Sequence, residues 1–241
     1  MKSIPKHFIF PDNGWEATYN PAPPTMFKKA AAESLVLPDP PWAATASEAD
    51  DVAALHYLRP DAYDAILREL DPPYKELCQI LDCTYKEGNA VYKFMEAVLL
   101  NTDWAVYHSK KHFMRARPYH VNTRVRPMFS RGERDFANWP AYPSGHSTQT
   151  HTLAMALVAL DKSREYALLT FAYQVGRNRE IAGLHFASDT IVGVHFASLL
   201  LDLMKPTDEY QKLFNAAQEE VNAQRTPVAK KKNARTRLVR G

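Results

Sequence analysis

From Ser47 to Arg225 apolar residues recur at helical spacing in one segment after another, and no stretch shows a strand-like alternation that rivals them. The clearest case is Val91, Phe94, Met95, Val98 and Leu99, which fall at i, i+3, i+4, i+7 and i+8 and make a core-facing stripe. A chain patterned in this way buries its apolar surface by packing helix on helix. The expected fold is therefore all-α, a single-domain helical bundle. At 241 residues the chain is long enough for a sizeable core, and nothing in it asks for a second domain.

The breaks between segments mark the helices. Ser47, with Asp50 three residues on, reads as an N-terminal cap before Val52, Leu55 and Leu58; Arg59-Pro60 ends that helix and starts another through Tyr63, Ile66, Leu67 and Leu70. Asp71-Pro72-Pro73 separates it from a short helix through Leu77, Ile80 and Leu81. The long helix that follows continues past Trp104 and Tyr107 and delivers Lys110 near its C-terminal end, where the helix dipole favours a cation whatever else that cation does. Leu153, Ala156, Leu157 and Leu160 repeat at helical spacing, and Lys162-Ser163 opens another helix through Leu168, Leu169, Ala172 and Val175. Thr190 to Met204 is apolar nearly all round, with Gly193, Ala197 and Ser198 small enough for close packing. It reads as too short to span a bilayer and is interrupted by His195 and Asp202, which assigns it to the centre of the bundle. Pro206 starts a final helix through Tyr210, Leu213 and Phe214 that ends near Arg225. Cys78 and Cys83, five apart on a helical segment, point to different sides, so neither a disulfide nor a metal site is expected of them.

The two ends differ from this body. Eight of the 17 prolines fall in residues 1 to 41, so residues 1–46 read as a Pro-rich arm lying over the fold, anchored by Phe8, Phe10, Trp15, Tyr19 and Phe27. No export signal is read at the N-terminus, and the expected location is soluble: cytoplasmic, or periplasmic if a signal peptide has been removed. Residues 226–241 hold six of the positive charges and no acid; without them the formal net charge falls from +3 to about −3. This basic tail reads as disordered and solvated, and nucleic acid is not the expected partner.

Chemistry concentrates between the long helix and the last third of the chain. Pro143-Ser144-Gly145-His146 is a proline-led turn that brings a Gly and a His to the mouth of an apolar helix, where unpaired N–H groups and the dipole favour an anion. An ordinary helix start with an incidental His accounts for those four residues equally well; the neighbours decide. Upstream stand Lys110 and, seven residues on, Arg117-Pro118, with Arg115 between them. Downstream, Arg179 precedes His185 by six and Asp189 follows His185 by four. Three cations around two histidines suit phosphate, whose oxygens match guanidinium forks and whose developing charge fixed positive groups stabilise. Asp189 can hold the Nδ1–H of His185 if it lies one helical turn away, leaving Nε2 to attack, and His146 can protonate the leaving oxygen. Residues 118–142, which contain Arg124, Arg126, Arg131 and Arg134, show no periodicity and read as a rim loop over the pocket.

The ordered set Lys-x6-Arg-Pro, Pro-Ser-Gly-His, Arg-x5-His-x3-Asp resembles the three-part signature of the type 2 phosphatidic acid phosphatase superfamily, which includes bacterial class A acid phosphatases and vanadium haloperoxidases. The resemblance implies an all-α phosphatase of small phosphomonoesters. Lys110, Arg117, Arg179, Ser144 and Gly145 would bind the phosphoryl group, His146 would be the general acid, His185 the nucleophile that becomes a phosphohistidine, and Asp189 its orienting partner. It implies no metal and no cofactor. The alternative it carries is a vanadate-dependent haloperoxidase using the same site. The chain lacks the membrane segments of the lipid phosphatases in this superfamily, and homo-oligomerisation stays open. One departure is visible: the superfamily has Ser before the third-motif Arg, whereas this chain has Asn178.

Overall fold

The computed structural model describes residues 4–11, 14–17, 19–129 and 138–225. The basic tail, Arg131 and Arg134 lie outside these residues. The chain forms α1 (Lys29–Glu33), α2 (Thr45–Ala54), α3 (Arg59–Arg68), α4 (Tyr74–Leu81), α5 (Ala90–Phe113), α6 (Pro118–Val121), α7 (Gly145–Leu160), α8 (Glu165–Ile181), α9 (Ala187–Met204) and α10 (Asp208–Arg225). Among the described residues there is no strand, only an isolated antiparallel bridge between Ile9 and Arg115.

The helix at the centre is α7, not α9. α7 packs along α9, α8 and α5, and its Leu153, Ala154, Leu157 and Leu160 sit in one apolar core with Phe94 and Val98 of α5, Leu168 of α8, Leu200 of α9 and Val221 of α10. α9 keeps one face in that core and exposes Ile191, His195, Ser198 and Asp202. It also starts three residues earlier than its sequence suggests. With 18 residues at a mean hydropathy of 1.3 it is, among the described residues, the one helix long and apolar enough by length and composition to cross a membrane. Gly193 brings α9 onto the start of α7: a Cβ there would lie 3.0 Å from the Ser147 side chain and 3.1 Å from the Ser144 carbonyl oxygen.

Local chemistry explains most boundaries. Asn89 caps α5 by accepting from Tyr92 N–H (2.8 Å), and the helix closes on Lys110, Lys111 and His112 before Met114 turns left-handed. Ser47 is not a cap. A 3-10 turn over Trp42–Ala44 runs directly into α2, so the backbone is already helical at Thr45, and the Ser47 hydroxyl instead donates to the Ala44 carbonyl (2.9 Å). The two cysteines also end nearer than a continuous helix would put them. α4 stops at Leu81, Asp82 is left-handed (φ 57°), and the turn brings Cys83 N–H to the Cys78 carbonyl (3.0 Å) and the two thiols into contact.

The N-terminal arm contains 3-10 turns and the short α1, and it is bound to the body rather than draped on it. Phe10 N–H donates to Met114 (2.6 Å) and Ala116 N–H to Phe8 (2.8 Å), so the arm grips the connection between α5 and α6. The Asn101 side chain accepts from the N–H groups of Thr25 and Met26 (both 2.9 Å), and Phe8, Phe10, Trp15 and Phe27 are buried. Of the described part of residues 118–142, Trp139 lines the pocket, whereas the stretch before residue 130 turns away from it. α6 interrupts that stretch, Val125 and Phe129 are buried, and Arg124 pairs with Asp50 on the outer surface.

Candidate active site

His185 lies just before α9, outside any helix and followed by the extended N-cap Phe186, while Asp189 is the third residue of α9. Its position makes Asp189 serve twice. Oδ2 accepts from Phe186 N–H (3.0 Å), closing the helix start, and pairs with His185 Nδ1 (3.2 Å). Arg117 Nη1 stands 2.8 Å from the other ring nitrogen, Nε2. A guanidinium only donates, so Nε2 carries the lone pair and the proton sits on Nδ1. Burial, then the charges of Arg117, Lys110 and Arg179, hold this imidazole well below its ordinary range.

Arg117 and Arg115 come from an extended segment in which alternate side chains share a side. Arg117 is fixed by carbonyls, donating to Trp139 (2.7 Å) and Leu184 (2.8 Å). Arg115, fully buried, donates to Asp189 (2.6 Å), Glu48 (2.7 Å), Ser188 (2.7 Å) and Thr45 (3.1 Å), with its guanidinium 4.0 Å from the centre of the Phe186 ring. It thereby neutralises the carboxylate behind His185.

Arg179 is held by Glu69 (2.7 Å) and the Ile66 carbonyl (3.1 Å), whereas its Nε and Nη1 have no protein partner among the described residues. Two buried guanidinium donors without a protein acceptor suit an anion. Asn178 anchors the same carboxylate, donating to Glu69 (2.7 Å) while accepting from Gln174 (2.8 Å). The residue that departs from the motif thus supports Arg179 through Glu69. Lys110 lies in the last turn of α5, its ammonium spread over the carbonyls of Pro140 (2.6 Å), Ala141 (3.2 Å) and Pro143 (2.8 Å). It organises the turn into α7 and lends it positive charge, while burial and Arg117 lower its proton affinity well below the usual lysine range.

That turn contains a cis Tyr142–Pro143 bond, after which Ser144 caps α7, its hydroxyl facing Ser147 N–H at 3.4 Å. Gly145 and His146 open the helix and line a cavity of about 310 Å³ together with Lys110, Arg117 and His185. A Cβ on Gly145 would touch nothing closer than 3.6 Å, so protein packing leaves the space above its backbone open. Burial, then Arg179, His185, Arg117 and Lys110, hold His146 well below the ordinary imidazole range. All eight residues singled out by sequence therefore converge on one region. His112, His120, His151 and His195 do not line this cavity. A second cavity of about 390 Å³, between α1 and α5, holds none of the motif cations.

Residues 92–211 match the family model of the PAP2 superfamily. This stretch belongs to the PAP2 superfamily. The chain is similar to the non-specific acid phosphatases of Salmonella typhi and Salmonella typhimurium strain LT2, each 27% identical over 121 residues, 49% of this chain and 47% of the relative. A third, from Providencia stuartii, is 25% identical over 144 residues, 57% of this chain and 55% of the relative. The chain spans about half the length of these curated relatives. The PAP2 segment contains every motif residue, but Tyr19, Glu48 and Glu69, which touch or brace the site, lie before it.

Glu48, Glu69 and Asp103 fall outside the sequence motifs, and the motifs give Arg115 no role although it stands among them. Arg115 stands two residues before Arg117 in extended chain, and that spacing is a signal that both face one side. Asp103, Val106 and Lys110 share a face of α5 at helical spacing, which was also legible. Glu48 and Glu69 pair with partners 67 and 110 residues away, and no local pattern reports such contacts.

Proposed function

We propose that this protein is a phosphatase of small phosphomonoesters, acting through a phosphohistidine at His185 and without a divalent metal. The observation that carries the reading is the pairing at His185: Asp189 on Nδ1, and a lone pair on Nε2 facing Arg117 at 2.8 Å. An incoming phosphoryl oxygen takes over the Arg117 donor, and the open donors of Arg179 and the start of α7 hold the remaining charge. Nε2 then attacks phosphorus and the P–O ester bond breaks, its electron pair leaving with the alcohol oxygen, which takes a proton from His146. Neutral His146 next removes a proton from water, whose oxygen displaces Nε2 and releases inorganic phosphate. Burial and the neighbouring cations depress the proton affinity of His146, and the dianion bound among those cations supplies the charge that lets it hold a proton.

The names of the relatives, non-specific acid phosphatases, support the same reaction class. Among the described residues no three His, Cys, Asp or Glu side chains cluster as a metal site would need, and this donor set favours side-chain cations as the electrostatic stabilisers. The vanadate-dependent peroxidase alternative uses the same anion seat, and peroxide plus bromide with added vanadate is the assay that separates it. Phenyl phosphate and an alkyl phosphate test the phosphatase, each with and without EDTA. Turnover should survive EDTA, and His146→Ala should lose far more rate on the alkyl ester, whose leaving oxygen needs the proton more. Loss with EDTA that a metal restores, or equal loss on both esters, contradicts the mechanism.

A further inference from the structure

The cavity is polarised along α5. Lys110 marks one end with Arg117 and His185; Asp103, on the same face, stands two turns away, about 10 Å along the axis. Asp103 Oδ1 accepts from Gln149 (2.8 Å), and Oδ2 accepts from the Tyr19 hydroxyl. The Tyr19 ring stacks on Trp139 with centroids 4.9 Å apart and planes 22° from parallel, and both rings line the cavity. Glu69 also lines it but is spent on Arg179.

A carboxylate at this end has no use in phosphoryl transfer and repels a phosphate. Burial makes its charged form costly, an effect that Tyr19, Gln149 and Lys110 oppose. What a carboxylate beside two stacked electron-rich rings does hold is an ammonium group, by Coulomb attraction and by cation–π contact. We propose that Asp103, Tyr19 and Trp139 form a leaving-group subsite that selects phosphomonoesters of short amino alcohols, with phosphate at the Lys110 end and ammonium at the Asp103 end. The selection deepens the phosphatase reading and rests on it for the reaction, but not for binding.

Two phosphonates of equal size, 2-aminoethylphosphonate and propylphosphonate, differ in an ammonium against a methyl and contain no ester bond. Calorimetry on the full chain should find the aminoethyl compound bound about tenfold more tightly, the size of a partly desolvated cation–π and charge contact. Asp103→Asn should bring that ratio close to one. Equal binding to the unaltered protein overturns the subsite, as does a ratio that Asp103→Asn leaves at tenfold. If that variant does not fold, Tyr19→Leu must lower the ratio instead, and an unmoved ratio again overturns it. Phosphate release from phosphoethanolamine and from propyl phosphate separates the two claims. Equal kcat/KM for the two esters overturns the subsite alone, whereas a binding preference without turnover of any ester overturns the phosphatase reading alone.

Discussion

At the scale of residues, the site is a set of charges made mutually tolerable by specific partners. Arg115 is a positioning residue: it touches Asp189 and Glu48 and reaches His185 only through the former. Arg115→Ala takes the counter-charge from two carboxylates, one of them fully buried, and should destabilise the fold by about 3–5 kcal/mol in denaturant titration. Arg115→Lys keeps the charge but not the fork, so it should lower kcat with little change in KM; an unaltered kcat would deny Arg115 its role. His146 gives a second expectation. Its proton affinity is depressed by burial and by the cations, so a divalent anion bound among them raises it, and binding takes up a proton. Uptake between the free and bound values means that affinity rises as pH falls. Sulfate, whose charge is constant through this range, should bind more tightly as pH drops from about 7 to about 5. Calorimetry in buffers of different ionisation enthalpy should register the uptake, and His146→Ala should diminish it. Binding that weakens on acidification contradicts the assignment.

At the scale of elements, two glycines on facing helices should behave in opposite ways. Gly193→Ala drives a Cβ to 3.0 Å from Ser147, where α9 crosses the capped start of α7, and should cost about 1–3 kcal/mol of stability. Gly145→Ala meets only ordinary contacts, so stability should hold within about 0.5 kcal/mol while phosphate affinity falls. Loss of stability at Gly145 with none at Gly193 would reverse the packing account. These helices were legible in the sequence because each buries one stripe, as Val91 to Leu99 shows. The motif residues were legible because their spacing is local: six residues separate Lys110 from Arg117, and three separate His185 from Asp189. What escaped has a physical reason. Ser47 looked like a cap because a 3-10 lead-in is invisible to cap rules, and α9 looked central because its exposed face is also apolar at Ile191. Glu69 and Glu48 act across tertiary contacts that carry no period.

At the scale of the whole molecule, α7 is the axis to which the chemistry is attached. Its N-terminus supplies Ser144, Gly145 and His146, α9 brings His185 and Asp189 alongside, α5 brings Lys110, and α3 ends on the Glu69 that holds Arg179. The N-terminal arm completes this arrangement by gripping the Arg115–Arg117 segment and by contributing Tyr19 to the cavity. In the proposed mechanism Nε2 of His185 accepts the phosphoryl group. Rapid mixing with an excess of labelled phosphomonoester, followed by an alkaline quench, should trap a phosphoprotein that is stable in base and labile in acid, with the label on His185. His185→Ala should lose that species and turnover together while still binding inorganic phosphate through Arg117 and Arg179. Robust ester hydrolysis by His185→Ala, or a trapped label on any other residue, would contradict the account.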